Sequence, residues 1–325
     1  MQEKFIISVD MGGTKILASV INSKKGIIAR YKKPTNIETG SKTYVKDIAE
    51  IVSRVVQTSE IKKTSIAAVC LGVPGSVNPI SGVIGLAPNL KLKNFQMRSR
   101  LEKLIPYPIL MENDVNLGAL GIKNFGVGKK SKNLLAVFIG TGIGGGIIID
   151  GKIYRGHNFV AGEIGHVMVQ KNGPKCGCGK KGCFEALASR TAIVNNIIND
   201  VKKGKKKSVL FDLIKSDQRI KSGALKNAVA KRDKVVVSRI NQACETIGDV
   251  LGSVANLMNF DMIVLGGGVI EALEDYMMPR IKKEFNNHVL EAAAKGVKIV
   301  ASKLGDDAAI YGGIALAEEF LSIKI

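Results

Sequence analysis

The sequence predicts an α/β protein of two domains, and three observations carry the prediction. Its 325 residues exceed what one small core organises and suit two domains. Short apolar runs of strand length alternate with longer stretches whose apolar positions recur at helical spacing, the pattern of α/β units. A strand, a glycine-rich turn and a second strand occur near the start of the chain and again, in the same order, near its middle.

Residues 5–9, nearly all apolar, read as a buried strand. The strand runs into Asp10-Met11-Gly12-Gly13-Thr14-Lys15, and apolar residues resume at 16–21. The segment is therefore a hairpin and not the strand-to-helix turn of a Walker or Rossmann loop. Backbone N–H groups in such a turn can converge on a phosphate oxygen, and Asp10 at the strand end is placed to hold Mg2+ directly or through water. A plain hairpin turn accounts for the same residues. Residues 26–32 read as a third strand, and Val45, Ile48, Ile51, Val52, Val55 and Val56 mark a helix over 44–58. A strand over 66–71 then leads into Gly72-Val73-Pro74-Gly75. After a loop at Pro88-Asn89, a helical piece near 97–104 and a short strand over 108–112 precede Asn113-Asp114, which opens a helix. Either residue can cap that helix; an adjacent amide and carboxylate also suit a polyhydroxyl ligand.

The repeat begins with a strand over 134–139, the turn Gly140-Thr141-Gly142-Ile143-Gly144-Gly145-Gly146, and a strand over 147–149. Two such turns could grip a nucleotide's phosphates from two sides. The second lacks the lysine of a P-loop, so no P-loop is assigned. Helices follow over 186–201, 209–215 and 224–230, and the clearest over 236–258, where Ile240, Ala243, Cys244, Ile247, Val250, Leu251, Val254, Leu257 and Met258 form one core-facing stripe. A strand over 261–265 opens through Gly266-Gly267-Gly268 onto a helix near 273–284. Such a glycine triplet lets backbone approach a flat group such as adenine, with a tight turn as the rival reading. A strand over 297–301 leads through Asp306-Asp307, read as an N-cap, into a helix over 308–320.

The most specific stretch lies between Gly162 and Glu185. His166, Cys176, Cys178 and Cys183 form the Cys3His set of a structural zinc site, with Gly177, Gly179 and Gly182 able to supply positive φ angles in the knuckle. Three reduced thiols or a disulfide-bonded loop are the alternatives. Glu163 and Glu185 flank the ligands, so fixing the metal also fixes where two carboxylates point. The second ring nitrogen of a zinc-bound histidine needs its own partner; a substrate hydroxyl in that role would make the metal a clamp behind the substrate pocket.

The formal net charge of +20 invites nucleic acid, but the runs at 129–132 and 202–207 are not interleaved with aromatics, and the chain has no tryptophan. No specific nucleic-acid partner is expected. Cys70 and Cys244 fall among apolar residues and read as buried hydrophobes. No apolar run spans a bilayer, and the N-terminus goes straight into a strand, so neither membrane nor signal peptide is expected and a cytoplasmic location is.

Taken together and in order, Asp10-Met11-Gly12-Gly13-Thr14-Lys15, Glu112-Asn113-Asp114, the turn 140–146, Gly162-Glu163-Ile164-Gly165-His166 and the knuckle 176–185 resemble the ROK family of sugar kinases and repressors over essentially the whole chain. Within it they are most similar to ROK-type glucokinases. The resemblance implies the actin-like, hexokinase-like ATPase fold, two α/β domains around a cleft: residues 1–115 with 306–325 in the small domain, and 116–305 in the large domain carrying the zinc knuckle. It implies Asp114 as general base and a hexose held by Gly75, Asn113, Asp114, Glu163, His166 and Glu185. ATP and Mg2+ would lie at Asp10, Gly12, Gly13, Thr14, Lys15, Thr141 and Gly142, with adenine near Gly267 and Gly268, and structural Zn2+ on His166, Cys176, Cys178 and Cys183. The implied activity is phosphorylation of glucose at C6 in glycolysis by a homodimer. N-acetylmannosamine and N-acetylglucosamine kinases share nearly all of these residues, and a non-catalytic sugar-sensing regulator is the reading from another class. Repressor members add an N-terminal helix-turn-helix, which is not expected where the first strand begins at Phe5.

Overall fold

The computed structural model describes residues 3–35 and 41–325. Its first strands are β1 (Phe5–Met11), β2 (Lys15–Asn22) and β3 (Gly26–Pro34), followed by α1 (Ser41–Ser59), β4 (Ile66–Val73), β5 (Ser76–Asn78), β6 (Val83–Ala87) and β7 (Leu92–Gln96). Next come α2 (Met97–Leu101), β8 (Ile109–Asn113), α3 (Asp114–Phe125), β9 (Leu134–Ile139), β10 (Ile143–Ile149) and β11 (Lys152–Tyr154). The rest is α4 (Phe184–Ala188), α5 (Arg190–Lys202), α6 (Phe211–Lys215), α7 (Ser222–Ala230), α8 (Lys234–Met258), β12 (Met262–Gly266), α9 (Gly268–His288), α10 (Glu291–Ala294), β13 (Lys298–Ala301) and α11 (Asp307–Leu321).

Two five-stranded sheets share one order, β3-β2-β1-β4-β8 and β11-β10-β9-β12-β13. In the first, the β1–β2 and β2–β3 pairs are antiparallel, whereas β4 lies parallel to both β1 and β8. In the second, β10–β11 is antiparallel and β12 runs parallel to β9 and β13. The repeat visible in the sequence is thus a repeated topology. Parallel strands covered on both faces lose alternation, which is why β1 and β4 are almost wholly buried.

The chain packs as two compact units, Met1–Lys130 with Gly146–Ala161 and Asp306–Ile325, and Ser131–Gly145 with Gly162–Gly305. The first unit therefore runs past residue 115, where the family resemblance begins the large domain. The reason is close packing of α3 on α11: a Cβ on Gly121 would strike the Ala308 carbonyl, and one on Gly312 the Leu117 carbonyl. Gly121→Ala is expected to cost about 1–3 kcal/mol through overpacking, read as a lower Tm; an unchanged Tm would show that the helices can separate freely.

Several local expectations need correction. The segment 76–96 holds a three-stranded antiparallel sheet, β5-β6-β7, absent from the expected elements because its strands are short and carry polar residues such as Lys93 and Asn94. β10 starts at Ile143, inside the glycine run. The helix expected over 186–201 is two helices broken at Ser189, whose Oγ accepts from the Ala192 N–H at 3.2 Å and caps α5. Leu257, assigned to the core stripe of α8, is 80% exposed. Neither Asp306 nor Asp307 caps α11 through its side chain; Lys15 and Arg30 take those carboxylates as ion-pair partners. Cys70 and Cys244 are buried as expected. No described helix is long and apolar enough to cross a membrane.

Candidate functional site

In the first unit, three parallel strands deliver their carboxyl ends to one place. The register sets Asp10 opposite Gly72, Gly72 opposite Glu112 and Val73 opposite Asn113. Open α/β sheets bind ligands beyond such carboxyl ends. Asn113 ends β8 and caps α3: its Oδ1 accepts from the N–H of Val115 at 2.9 Å and of Asn116 at 3.0 Å, while its Nδ2 donates to the Gly75 carbonyl at 3.0 Å. Asp114, the first residue of α3, has its Oδ1 held by the Val115 N–H at 2.9 Å. Beneath them Glu112 is buried, accepting from Asn113 N–H, Asn116 Nδ2 and, at 2.6 Å, Arg155 Nε. Arg155 in turn makes a two-pronged pair with Glu319 at 2.8 and 2.9 Å. Glu112, Arg155 and Glu319 support the site from below; the sequence shows Glu112 only as part of the motif 112–114, with no role, and gives no sign of Arg155 and Glu319, since no local pattern links residues so far apart.

Desolvation pushes Asp10 up to about 7, reinforced by the charges of Asp114 and Asp306 and opposed by Lys15. Three carboxylates against one ammonium leave negative charge for a cation to offset, so these residues fit Mg2+. Lys15, expected on phosphate, pairs with Asp306. Gly12 closes its turn by donating to the Lys15 carbonyl at 2.9 Å, and Thr35 N–H donates to Thr14 O at 3.1 Å, so the turn is a braced hairpin. Because the folded pKa of Asp10 lies above its ordinary value of 3.8, stability is full below that value and is lost as pH rises towards about 7. Asp10→Asn is therefore expected to stabilise the chain by a few kcal/mol at pH 8 in Mg2+-free buffer and by little at pH 4. Equal Tm shifts at both pH values would refute this account.

In the second unit, the turn after β9 is tied down from three directions. Gly140 N–H donates to Gly142 O at 2.9 Å, Glu185 Oε2 accepts from Ile143 N–H at 2.8 Å, and Arg190 Nη2 donates to Thr141 Oγ1 at 2.6 Å. Gly267 takes φ +87° at the start of α9, where a Cβ would lie 2.7 Å from the Ile139 carbonyl oxygen. Glycine is thus required there by backbone approach alone, and Gly268 opens the helix.

The knuckle gathers the four expected ligands. One donor atom each of His166, Cys176, Cys178 and Cys183 lies within 4.8 Å of all the others. Cys178 and Cys183 sulfurs are 3.7 Å apart, and Cys176 Sγ is 3.7 Å from His166 Nδ1. Zn–S bonds of about 2.3 Å in a tetrahedron put sulfurs about 3.8 Å apart, so the donor set fits Zn2+ in type and spacing. Burial pushes the Cys176 thiol up to about 12 and raises Cys183, while the Lys180 backbone N–H lowers Cys178. A bound dication would reverse the burial effects, because the thiolate is the ligand. Gly179 and Gly182 adopt the positive φ expected of the knuckle; Gly177 does not. His166 Nε2 lies 3.8 Å from Glu163 Oε2, and Glu185 Oε1 lies 3.9 Å from Cys176 Sγ. Nδ1 thus faces the sulfurs and Nε2 faces a carboxylate.

The sequence profile of the ROK family matches residues 6–320. A glucokinase of Halalkalibacterium halodurans is 32% identical, the alignment covering 96% of this chain and 94% of that protein. The xylose repressor of Caldicellulosiruptor bescii is 28% identical over 96% of this chain and 77% of its own length. Among solved structures, a ROK family glucokinase from Streptomyces griseus in complex with glucose and AMPPNP superposes with a TM-score of 0.83 at 28% identity, covering 97% of this chain and 99% of that one. The fold is that of the actin- and hexokinase-like ATPases.

Proposed function

The chain belongs to the ROK family, and from that membership and the site geometry we propose that it is an ATP-dependent hexose kinase acting on the C6 hydroxyl of glucose. The observation that carries the reading is Asp114, set on the first turn of α3 beside the ends of β1, β4 and β8 with its carboxylate oriented by Val115 N–H. As the C6 oxygen attacks the γ-phosphorus, Asp114 takes the hydroxyl proton, the bond from γ-phosphorus to the bridging oxygen breaks, and ADP leaves. Orientation matters more than basicity, since the proton moves only as the P–O bond forms. Asn113 and the Gly75 carbonyl it anchors, Glu163, His166 and Glu185 hold the sugar hydroxyls. The 3.8 Å between His166 Nε2 and Glu163 Oε2 is too long for a direct hydrogen bond and lets one hydroxyl serve both.

Asp10, Gly12, Gly13, Thr14, Lys15, Thr141 and Gly142 are assigned to the phosphates and Mg2+, and Gly267 and Gly268 to the adenine side. Mg2+ held through Asp10 would supply charge neutralisation on the phosphates. Zn2+ on His166, Cys176, Cys178 and Cys183 has all four positions filled by protein, a structural and not a hydrolytic arrangement.

Glucose is preferred over N-acetylmannosamine and N-acetylglucosamine because the glucokinase of Halalkalibacterium halodurans and the glucose-bound Streptomyces griseus enzyme support it. A coupled ADP-release assay over glucose, mannose, fructose, allose and the two amino sugars tests the reading. Fastest turnover with glucose is expected; a higher kcat/KM with an acetamido sugar would reassign the substrate. A sugar-sensing regulator without phosphoryl transfer is the second reading, favoured by the similarity to the xylose repressor, and sugar binding with no ADP release from any hexose would select it.

A further inference from the structure

The turn 140–146 lacks the lysine through which a P-loop reaches its phosphates, yet the fold brings a cation to it from 49 positions along the chain. Arg190 is the first residue of α5. Its Nη2 donates to Thr141 Oγ1 at 2.6 Å, and its backbone N–H donates to Gly140 O at 2.9 Å. The next residue, Thr191, donates from Oγ1 to Thr141 O at 2.7 Å. Three bonds thus fasten the first turn of α5 to Thr141 and its neighbour, while Thr141 itself remains exposed.

A guanidinium carries five N–H donors in a planar fork, and the Thr141 hydroxyl occupies only one nitrogen of Arg190. No carboxylate among the described residues lies within ion-pair distance of Arg190, unlike Arg30, Arg54, Arg155 and Arg239, each of which has one. The charged group closest in effect is Arg219, another cation; burial and that neighbour together lower the pKa of Arg190. A half-buried guanidinium with N–H donors to spare and no carboxylate partner among the described residues suits an anion. Arginine matches phosphate oxygens bidentately, and the donors left over here are the ones such a contact uses.

We infer that Arg190 is a phosphate-binding residue, the counterpart on α5 of the lysine that the glycine turn lacks, and that it takes the phosphate chain of ATP while Thr141 aligns its fork. The inference rests on the kinase reading for its ligand but is tested by binding alone. Thermal protection of the sugar-free chain by ATP, ADP and adenosine should be compared for wild type, Arg190→Gln, Arg190→Lys and Thr141→Val. With Arg190→Gln, the ligand concentration giving half-maximal protection is expected to rise about tenfold or more for ATP and ADP and to stay unchanged for adenosine, since only the phosphate contact is lost. Arg190→Lys, which keeps the charge, should recover part of the loss. Thr141→Val removes the aligning hydroxyl together with whatever Thr141 itself offers the phosphates, so it too should weaken ATP and ADP and leave adenosine unchanged. In steady state the same Gln variant should raise the KM for ATP and leave that for glucose within about twofold.

A loss of protection by adenosine equal to the loss by ATP in Arg190→Gln would reduce Arg190 to a brace of the turn and overturn the inference. Unchanged ATP protection in Arg190→Gln would do the same. If Arg190→Gln does not fold, Arg190→Lys and Thr141→Val still decide, because a mere brace predicts a phosphate-independent loss in both. A wild type protected by ATP through Arg190 but releasing no ADP with any sugar would sink the kinase reading and leave this inference standing.

Discussion

Asp114→Asn is expected to lower kcat by about a thousandfold while glucose binding stays within a fewfold of wild type, measured by ADP release and by sugar-dependent thermal protection. The asymmetry follows from where Asp114 sits. Asn113, not Asp114, carries the cap of α3, with its Oδ1 on two backbone N–H groups. Glu112, Arg155 and Glu319 brace the strand end from beneath. An amide at 114 therefore leaves α3 in place and removes the carboxylate's charge and, with it, the ability to accept a proton. The same change deletes one of the charges that push Asp10 up, so Asp10 should ionise more readily and Mg2+-dependent ATP binding should survive. Near-normal turnover in this variant would mean that Asp114 is not the base.

Cys178→Ser is expected to abolish tight zinc, about one ion per chain in the wild type by metal analysis, and to lower Tm by on the order of 10 °C. Its effect on activity should reach both substrates. Glu185 follows Cys183 closely in the chain, its Oε1 lying 3.9 Å from Cys176 Sγ and its Oε2 accepting from Ile143 N–H in the turn 140–146. Loosening the knuckle frees His166 and Glu163 on one side and the turn 140–146 on the other. The KM for glucose and for ATP should each rise, by roughly tenfold, with the larger fall in kcat/KM for glucose. Full zinc content with unchanged Tm and KM would show that Cys178 is not a ligand.

Much of the site was legible because its parts are local. The knuckle needs only three thiols and an imidazole within a short stretch, and Cys3His chemistry does the rest. Asn113-Asp114 stood out as a polar pair where a strand stops and a helix starts, and the structure makes Asn113 the cap. Asp306 and Asp307 misled for the same reason: acids before a helix look like caps, yet Lys15 and Arg30, both on the β2–β3 ribbon, claim them. Arg155 and Arg190 left no trace at all. Each acts on a partner more than 40 positions away, and a single arginine in a loop or at a helix start carries no spacing to read.

From the sequence alone follow the α/β class, the repeated strand–turn–strand plan, the clustering of His166 with Cys176, Cys178 and Cys183, and the polar pair at the head of α3, because each is written in residue types at short separations, where backbone geometry translates spacing into position. Only the tertiary structure decided which charges meet. It pushed Asp10 up among Asp114 and Asp306, diverted Lys15 to a carboxylate, kept α3 with the first unit through Gly121 and Gly312, and brought Arg190 to Thr141. Electrostatic and close-packing energies depend on distances of a few ångströms between residues far apart in the chain, and no pattern along the chain encodes those distances.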